Sequence, residues 1–492
     1  MTACHRRALP LPSTIDPAGA AAHDQRVARD LDLLRLPPAP WTAPATGPDG
    51  APAADVVVVG AGMYGIAATA ALLMKGIRAT MLDRAAPGQE GPWASYARME
   101  TLRSPKQLPG VALGIPSLTY RAWHEARFGA EAWAALHKIP NGAWQDYLAW
   151  VRTVLGLPVR HAAAVLRIAP AAGMVALAVV EAGVERTLHA RRVVLASGRA
   201  GMGFGVPGWV DPALWPDRAA HAGEPIDFAA LRGRRVAVVG AGPSAWDNAA
   251  TALEQGASRV DMYVRRRELP QVNKGRGSAT PGFFEGWASL PPSEKWRILA
   301  YLHDLQAPPP HESVLRALRQ PGFHIHLGTA LGGARRSGGG VRLALPDGAA
   351  GEADFLILGT GYGIDLRRSP ELAGVAGALA TWADRYAPPP ALRRPELGCF
   401  PWLGPGFELE ERVPGACPGL SRIHVFSHAA AASLGAIASD IPGVSVGAER
   451  LAHAIAAHFF TEDISHVRAA LEAFAEPELE GTPFFVAGRP TG

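Results

Sequence analysis

The chain of 492 residues is long enough for two or three domains. Its composition, 48% hydrophobic and 19% charged, is typical of a soluble globular enzyme. The formal net charge is only +4, and no dense basic run with interleaved aromatic residues indicates a nucleic-acid partner.

Several classes of protein and site are excluded by what the sequence lacks. No segment reaches the roughly 18 apolar residues of a membrane span, and no apolar signal core begins the chain. Cys4, Cys399 and Cys417 form no C-x-x-C pair, so neither a zinc site nor a redox dithiol is expected. His324 and His326 would share a strand face without a third ligand nearby, and we predict no metal. Few cysteines and no export signal favour the cytoplasm.

Residues 1–50 form an extension rich in alanine and proline. Within it, Val27, Leu31 and Leu34 stand at helical spacing and predict a short amphipathic helix over 24–36. We expect this helix to pack on a domain surface. Binding to a partner is the alternative.

The clearest pattern is a buried strand followed by a glycine-rich turn. Residues 55–59 contain four consecutive valines, which favour a strand buried on both faces of a parallel sheet. Gly60, Gly62 and Gly65 then complete the pattern G-x-G-x-x-G. These glycines permit a tight turn, a close approach of the backbone to a pyrophosphate, and close packing of the next helix on the strand.

The following residues supply the rest of a dinucleotide-binding unit. We predict a helix over 66–75, whose N-terminal amides would face the phosphates, and a second strand over 77–82. That strand ends at Asp83, where the fold needs an acidic residue to accept hydrogen bonds from ribose hydroxyls. The order strand, turn, helix, strand and acid favours a nucleotide site over a plain structural turn.

The same pattern returns later in the chain. Residues 235–239 predict a strand, Gly240 and Gly242 a second turn, and 246–255 a helix, with Ala245 in place of the third glycine. A strand over 260–264 follows.

This second unit ends on three arginines, 265–267, where the first ends on Asp83. Arginines pair with a 2′-phosphate, which an acid would repel, so the first unit suits FAD or NAD and the second NADP(H). Alternatively, the three arginines only form the solvent-exposed end of the strand and bind no phosphate.

The remaining elements are assigned more coarsely. We predict helices over 117–156, a β-meander over 159–192, a returning strand over 193–198, an insertion with helical pieces over 268–320, a strand over 355–358, another over 423–426, and helices over 446–460 and 464–474.

The two glycine-rich turns, together with a later strand that ends in Gly359-Thr360-Gly361-Tyr362, resemble the two-dinucleotide-binding-domain flavoproteins. Within that group the chain is similar to the class B flavoprotein monooxygenases, over roughly residues 50–460. Disulfide reductases share the layout but need a cysteine pair, which this sequence lacks.

The resemblance implies an α/β fold of two Rossmann-like domains, with the NADPH domain inserted into the FAD domain. The boundaries that we predict are 1–50 for the extension, 51–222 for the first part of the FAD domain, 223–353 for the NADPH domain, and 354–492 for the second part of the FAD domain.

The resemblance also implies roles for single residues. FAD would be held by Gly60, Gly62, Gly65 and Asp83, with Trp93 of the segment Gly91-Pro92-Trp93 beside the flavin. The pyrophosphate of NADPH would lie on Gly240, Gly242 and Ser244, and its 2′-phosphate on Arg265 and Arg266. We further place three residues in the cofactor sites: Arg84, Gly198 and Gly361.

The implied activity is an NADPH-dependent FAD monooxygenase that transfers one oxygen atom from O₂ to a small molecule through a C4a-(hydro)peroxyflavin. N- or S-oxygenation is favoured. Baeyer–Villiger oxygenation, an NADPH oxidase or flavin reductase without oxygenation, and a non-catalytic redox-sensing flavoprotein are the alternatives. A homo-oligomer is possible.

Three residues are candidates for catalysis. One subgroup of the family, the flavin-containing monooxygenases, carries Asn-x-Pro-Lys near the flavin, and this chain has Arg103-Ser104-Pro105-Lys106. Arg103 and Lys106 would stabilise a peroxide charge or hold an acidic substrate, or else cap or pair within a loop. His221, in a loose version of the Phe-x-Gly-x-x-x-His fingerprint, would be a hinge, an NADP contact or an acid.

Overall fold

The computed structural model describes residues 15–171 and 173–485. They form sixteen β-strands: β1 Ala45–Thr46, β2 Pro52–Val59, β3 Ala79–Leu82, β4 Val159–Arg160, β5 Ala163–Ala171, β6 Met174–Glu181, β7 Val184–Leu195, β8 Ala219–His221, β9 Arg235–Val239, β10 Arg259–Val264, β11 Phe323–Leu327, β12 Gly333–Ser337, β13 Gly340–Ala344, β14 Ala350–Ala353, β15 Phe355–Leu358 and β16 Ile423–Val425.

The same residues form thirteen α-helices: α1 Pro17–Leu34, α2 Met63–Leu73, α3 Tyr120–Ala135, α4 Asn141–Val154, α5 Pro243–Glu254, α6 Pro281–Gly286, α7 Pro292–Leu305, α8 His311–Leu318, α9 Trp382–Arg385, α10 Pro395–Gly398, α11 Ala431–Leu434, α12 Val444–Glu462 and α13 Ile464–Ala473. Both predicted strand–turn–helix units are present, and so is the helix of the N-terminal extension, which begins earlier than expected.

The first sheet has eight strands and is mostly parallel. Its path is β4-β3-β2-β7-β6-β5, with β1 paired to β2 and β16 paired to β7. Val56, Val57 and Val58 of β2 are buried and Val59 is partly buried, as expected for a central parallel strand. Strands β5, β6 and β7 form the predicted antiparallel meander, and β7 then returns to pair with β2 in parallel.

The second sheet is parallel throughout, in the order β11-β10-β9-β15-β8. Its outer strand β8 and its inner strand β15 pair with each other, and β15 also pairs with β9. The predicted domain boundaries at 222 and 354 therefore cut this sheet, because β8 lies before the first boundary and β15 follows the second.

The two sheets draw their strands from different parts of the chain. Strands of the first come from 45–195 and 423–425, and those of the second from 219–358. A separate antiparallel sheet of β12, β13 and β14 lies beside the second. The predicted α/β class with parallel sheets is confirmed.

Helices from both ends of the chain pack on segments that surround the first sheet. Helix α1 buries Val27 among Ala112, Ile115 and Leu118, so the extension packs on the domain surface as expected. Helix α12 packs against α2. In the described part of the chain no single helix is long and apolar enough to span a membrane, although one bent pair, 428–438 with 441–462, meets the length and composition limits.

Candidate functional site

The first glycine-rich turn follows β2, at the carboxyl end of the sheet. Gly60 has φ +106°, and a Cβ there would lie 2.6 Å from the Ala196 carbonyl oxygen. A Cβ on Gly65 would overlap the Gly60 carbonyl group, so α2 packs directly on the turn. Gly62 is the N-cap of α2 and no side chain caps the helix, which leaves its N-terminal amides for a ligand.

Asp83 lies where β3 ends and fixes the turn. Its Oδ2 accepts a hydrogen bond from the Ala61 amide at 2.7 Å, and its Oδ1 accepts one from the Ala85 amide at 2.8 Å. Each carboxylate oxygen keeps a second lone pair, so Asp83 can still accept from ribose hydroxyls. Arg84 follows and is exposed.

The segment with Trp93 lies across this turn. A Cβ on Gly62 would be 3.4 Å from the Gly91 Cα, so the two backbones approach each other closely. Asn141 of α4 holds the segment by donating to the Trp93 carbonyl at 2.9 Å. The buried Trp93 Nε1 and Asn141 Oδ1 have no hydrogen-bond partner. Unsatisfied buried polar atoms beside a nucleotide turn fit a site that is completed by a ligand.

The second turn repeats this geometry after β9. Gly240 has φ +107°, and Gly242 is the N-cap of α5, again without a side-chain cap. Ser244 lies in the first turn of α5, and its carbonyl accepts from the Asn248 side chain at 2.7 Å. The amides at this helix start are therefore also available to an anion.

The residue in place of the third glycine has a counterpart across the sheet. A Cβ on Gly359 would overlap the Ala245 Cβ and lie 2.9 Å from the Ala245 Cα. Ala245 is fully buried. The alanine at 245 and the glycine at 359 therefore compensate for each other sterically.

The arginines after β10 differ in their surroundings. Arg265 is exposed, and within the described residues no hydrogen bond or ion pair is found for its side chain. Arg266 donates to the Asp304 carbonyl at 2.9 Å, near the end of α7. Arg265 is thus the one of these two residues whose guanidinium is available to a phosphate.

Arg103 and Lys106 both bind other parts of the protein. Arg103 Nη2 lies 2.7 Å from Oδ2 of Asp247, a buried residue on α5. Lys106 Nζ donates to the Trp133 carbonyl at 2.7 Å, near the end of α3. Both contacts fit the alternative in which Arg103 forms an ion pair and Lys106 caps a helix end, so that both fix the loop. A catalytic role for either residue stays a prediction.

His221 is buried at the end of β8. Its ring stacks on Phe204 with a centroid separation of 4.4 Å, and the Tyr362 ring lies 5.5 Å away, edge-on. Nδ1 accepts from the Gly223 amide at 3.0 Å. Burial lowers the pKa of His221, although the Gly361 backbone and Glu224 act in the opposite direction. The loose fingerprint read from the sequence is therefore brought together in space.

Gly198 and Gly361 follow β7 and β15, one in each sheet. Both have positive φ, at +66° and +89°, and a Cβ on either would meet no atom within 4 Å. They lie beside open space at the carboxyl ends of the strands, where ligands bind to parallel sheets.

A cluster that we did not predict lies where the two sheets meet. The rings of Tyr96 and Tyr362 are 6.5 Å apart, and Arg199, next to Gly198, lies 3.8 Å from Asp440. Burial raises the pKa values of Tyr96 and Tyr362 and that of Tyr64 in α2, while Arg199 opposes the shift in all three.

Sequence reasoning missed this cluster because its members come from five separate segments. The position of Arg199 directly after a strand-ending glycine was the one available signal.

Arg98 lies at the same place between the two sheets, which we call the junction, and links its two sides. Its guanidinium donates to the Ala222 and Glu224 carbonyls at 2.8 Å each, which joins the Trp93 segment to the end of β8. Burial lowers the pKa of Arg98 to about 10. The residue is still charged near neutral pH, so it is a cationic clamp between the two sheets.

The comparisons with known proteins agree with this geometry. The family model of the pyridine nucleotide-disulphide oxidoreductases matches residues 54–378. A FAD-dependent urate hydroxylase from Xanthomonas campestris pv. campestris is 40% identical over 454 residues, which cover 92% of this chain and 95% of that protein. The chain therefore belongs to the pyridine nucleotide-disulphide oxidoreductase family and is a relative of the FAD-dependent urate hydroxylase. It is a flavin-dependent oxidoreductase of the monooxygenase group, and the predicted family and enzyme class are confirmed.

Solved structures show the same fold for this flavin monooxygenase. The ornithine N-hydroxylase of Kutzneria sp. 744, in a structure with reduced FAD, NADP⁺ and L-ornithine, matches with a TM-score of 0.64 and 16% identity, over 83% of this chain and 100% of that one. The reduced ornithine hydroxylase of Pseudomonas aeruginosa matches with a TM-score of 0.64 and 20% identity, over 82% and 99%. The predicted FAD and NADPH agree with the FAD dependence of the urate hydroxylase and with the reduced FAD and NADP⁺ in the Kutzneria structure.

The name of the matched family refers to disulfide chemistry, which uses pairs of cysteines. Of the three cysteines of this chain the structure describes Cys399 and Cys417, and both are free. Cys399 lies beside α10, and Cys417 precedes β16. Neither residue lies next to one of the two nucleotide-binding turns in the sequence.

Proposed function

We propose that this flavin monooxygenase binds FAD on the first sheet, binds NADPH on the second, and hydroxylates urate or a closely related purine. The observation that carries the proposal is the pair of glycine turns with uncapped helix starts, at the carboxyl ends of parallel strands in two sheets that meet at Tyr96 and Tyr362. The 40% identity to a urate hydroxylase supports the choice of substrate.

The FAD site would use the first turn. The amides after Gly62 would bind the pyrophosphate, Asp83 would accept from the ribose, and Trp93 and Asn141 would lie beside the ring with their unpartnered atoms. FAD, when bound, supplies the redox and oxygen chemistry of a monooxygenase.

The NADPH site would use the second turn, with the domain built on the second sheet inserted between two parts of the FAD domain. The amides after Gly242 would bind the pyrophosphate. The exposed Arg265 would pair with the 2′-phosphate, which a planar guanidinium recognises in a bidentate manner.

The residues between the sheets would orient the reactants and exclude water. Arg98 ties the flavin-side segment to the end of β8, and the rings of Phe204 and His221 stack behind Tyr362. An active site closed in this way keeps reactive intermediates from water. His221, with a lowered pKa, would be neutral at pH 7 and would hold the Gly223 amide rather than donate a proton.

The junction also has the chemistry to hold a planar, anionic purine. Tyrosine rings offer flat surfaces for stacking, and Arg199 offers a cation and hydrogen-bond donors. Burial raises the pKa of the Asp440 carboxyl beside Arg199. We propose Arg199 as the residue that binds the urate anion.

The test is urate-dependent turnover. Purified, FAD-loaded protein should oxidise NADPH faster when urate is added, and urate should disappear with one atom of labelled O₂ in its product. Ornithine, a thioether and a ketone, assayed in parallel, test N-, S- and Baeyer–Villiger oxygenation. NADPH consumption that yields only hydrogen peroxide with every substrate would make the protein an oxidase. No consumption at all would favour a redox-sensing flavoprotein.

The Arg199→Gln variant tests the substrate site separately. We expect a raised KM for urate with unchanged FAD content. The control is Arg186→Gln, which removes an exposed arginine from β7. Loss of FAD from the Arg199 variant would instead assign this arginine to the flavin. The predicted cytoplasmic location and homo-oligomer stay predictions.

A further inference from the structure

A continuous line of aromatic rings leads from the proposed flavin site to the protein surface. The centroids of Trp93 and Trp144 are 6.4 Å apart, those of Trp144 and Tyr147 5.1 Å, and those of Tyr147 and Trp150 6.0 Å. Trp144 and Tyr147 are fully buried. Indole and phenol rings are the protein side chains most easily oxidised by one electron, and neighbouring rings at these separations couple well.

The inner end of the line lies at the first nucleotide turn. Trp93 belongs to the segment whose Gly91 approaches Gly62, and Asn141 fixes its backbone. The partnerless Nε1 of Trp93 is buried there. This indole is therefore the member of the line nearest to a flavin bound on the turn.

The outer end can release a proton. Trp150 is half-buried, and its Nε1 donates to Oδ1 of Asp24 at 2.7 Å. The side chain of Asp24 is 48% exposed, so a proton that it accepts can pass to water. The guanidinium of Arg127 lies 5.2 Å from the Trp150 ring centroid, and its charge disfavours a cation on that ring. A radical at Trp150 is therefore stable only as the neutral form, after the proton has moved to Asp24.

We propose that Trp93, Trp144, Tyr147 and Trp150 form a path that carries single electrons between the flavin site and the surface at Asp24. The proposal rests on the FAD site proposed above. It gives the enzyme a second, light-driven function, the passage of one oxidising equivalent from a photoexcited flavin to the protein surface.

The steps balance in electrons and protons. Trp93 gives one electron to the photoexcited, oxidised flavin and is refilled by Trp144, which is refilled in turn from Trp150. Trp150 then loses its Nε1 proton to Asp24, and a thiol in solution returns one hydrogen atom to it. The sum is one electron gained by the flavin, one proton released to water and one thiyl radical.

Tyr147 acts in this path as a bridge. Its hydroxyl donates to the Leu118 carbonyl at 2.8 Å and accepts from the Val111 amide. A carbonyl oxygen does not take up the phenol proton, so the electron vacancy does not rest on Tyr147 and passes on to Trp150.

The experiment is transient absorption on the FAD-loaded protein after a short blue-light flash. In the unaltered protein we expect a long-lived neutral tryptophan radical together with reduced flavin. Trp144→Phe should abolish this signal and leave only fast recombination. Trp150→Phe, at a half-buried position, should also abolish it and guards against a folding defect in the first variant.

The matched control is Trp133→Phe. Trp133 is buried in the same aromatic cluster, but its ring contacts are to Tyr120 and His124, off the line. The Trp133→Phe variant should give the same yield of tryptophan radical as the unaltered protein. Equal yields in all variants, or no tryptophan radical in a yellow protein, would overturn the path. A colourless protein that takes up no FAD would instead overturn the proposed function.

Discussion

The pairing of Ala245 with Gly359 permits a sharp test of how α5 is held on the second sheet. In Gly359→Ala the new methyl group would overlap the Ala245 methyl group and lie 2.9 Å from its Cα and 3.1 Å from the Val239 carbonyl oxygen. Carbon atoms pack best at about 3.5–4.0 Å. Because the neighbours are a buried helix and a strand backbone, relief requires α5 to move.

The size of the effect follows from these contacts. Overpacking of a buried site costs about 1–3 kcal/mol, so Gly359→Ala should lower the free energy of unfolding by that amount. Ala245→Gly alone should cost about 1 kcal/mol, since it places a glycine inside a helix. In the double variant the methyl overlap is gone, while the contacts with the Ala245 Cα and Val239 persist. We therefore expect partial rescue, with a coupling energy of about 1–2 kcal/mol, within the range for residues in contact.

This coupling is measured by thermal unfolding of the parent, the two single variants and the double variant. The Kd for NADPH reports whether the start of α5 has moved. Gly359→Ala should weaken NADPH binding, and Ala245→Gly should restore part of it. Gly332→Ala is the control, because its added methyl meets no atom within 4 Å. The steric argument fails if Gly359→Ala is as stable as the parent, or if the two losses simply add.

Three further predictions concern the cofactors and acid stability. Gly62→Val should yield a colourless protein, because the larger side chain would press on Gly91 and keep a pyrophosphate from approaching the backbone of the turn; a yellow variant would contradict the FAD site. Arg265→Ala should raise the KM for NADPH and leave NADH unchanged, at a cost of about 1.5–3 kcal/mol for a charged hydrogen bond; an equal change for both cofactors would refute phosphate recognition. Burial lowers the pKa of His124 from 6.5 to about 4. As the pH falls from 6.5 to about 4, His124 therefore takes up a proton in the unfolded chain but not in the folded one, and the free energy of unfolding decreases. In His124→Phe that slope, measured by urea unfolding, should decrease by up to about 1.4 kcal/mol per pH unit, and an unchanged slope would show that His124 is not buried neutral.

The parts of the fold that could be read from the sequence are local. Consecutive valines and the spacing of Gly60, Gly62 and Gly65 identify a strand, a turn and a helix within a few residues, and the unit at Gly240 repeats them. The partner strands are not local. Strands β8 and β15 pair across more than a hundred residues, so no short pattern predicted that both belong to the second sheet.

The site shows the same division. Residues whose role depends on the backbone, such as Gly198 and Gly361, lie where the pattern placed them, at open strand ends. Residues whose role depends on a side-chain partner do not reveal it in the sequence. Arg103 pairs with a carboxylate 144 positions away, and Lys106 caps a helix end 27 positions away. Arg199 meets residues from four other segments.

The departures from the family pattern therefore acquire a physical meaning only in three dimensions. Ala245 replaces a glycine, and Arg103 stands where related enzymes carry asparagine, yet both act on the same helix. Ala245 packs the first turn of α5 against Gly359, and Arg103 pairs with Asp247 two residues further on. The helix start that would bind the NADPH pyrophosphate is thus fixed by packing on one side and by an ion pair to the flavin-side segment on the other. Two substitutions that look unrelated in the sequence together determine how the nucleotide-binding helix is held against the flavin-side segment.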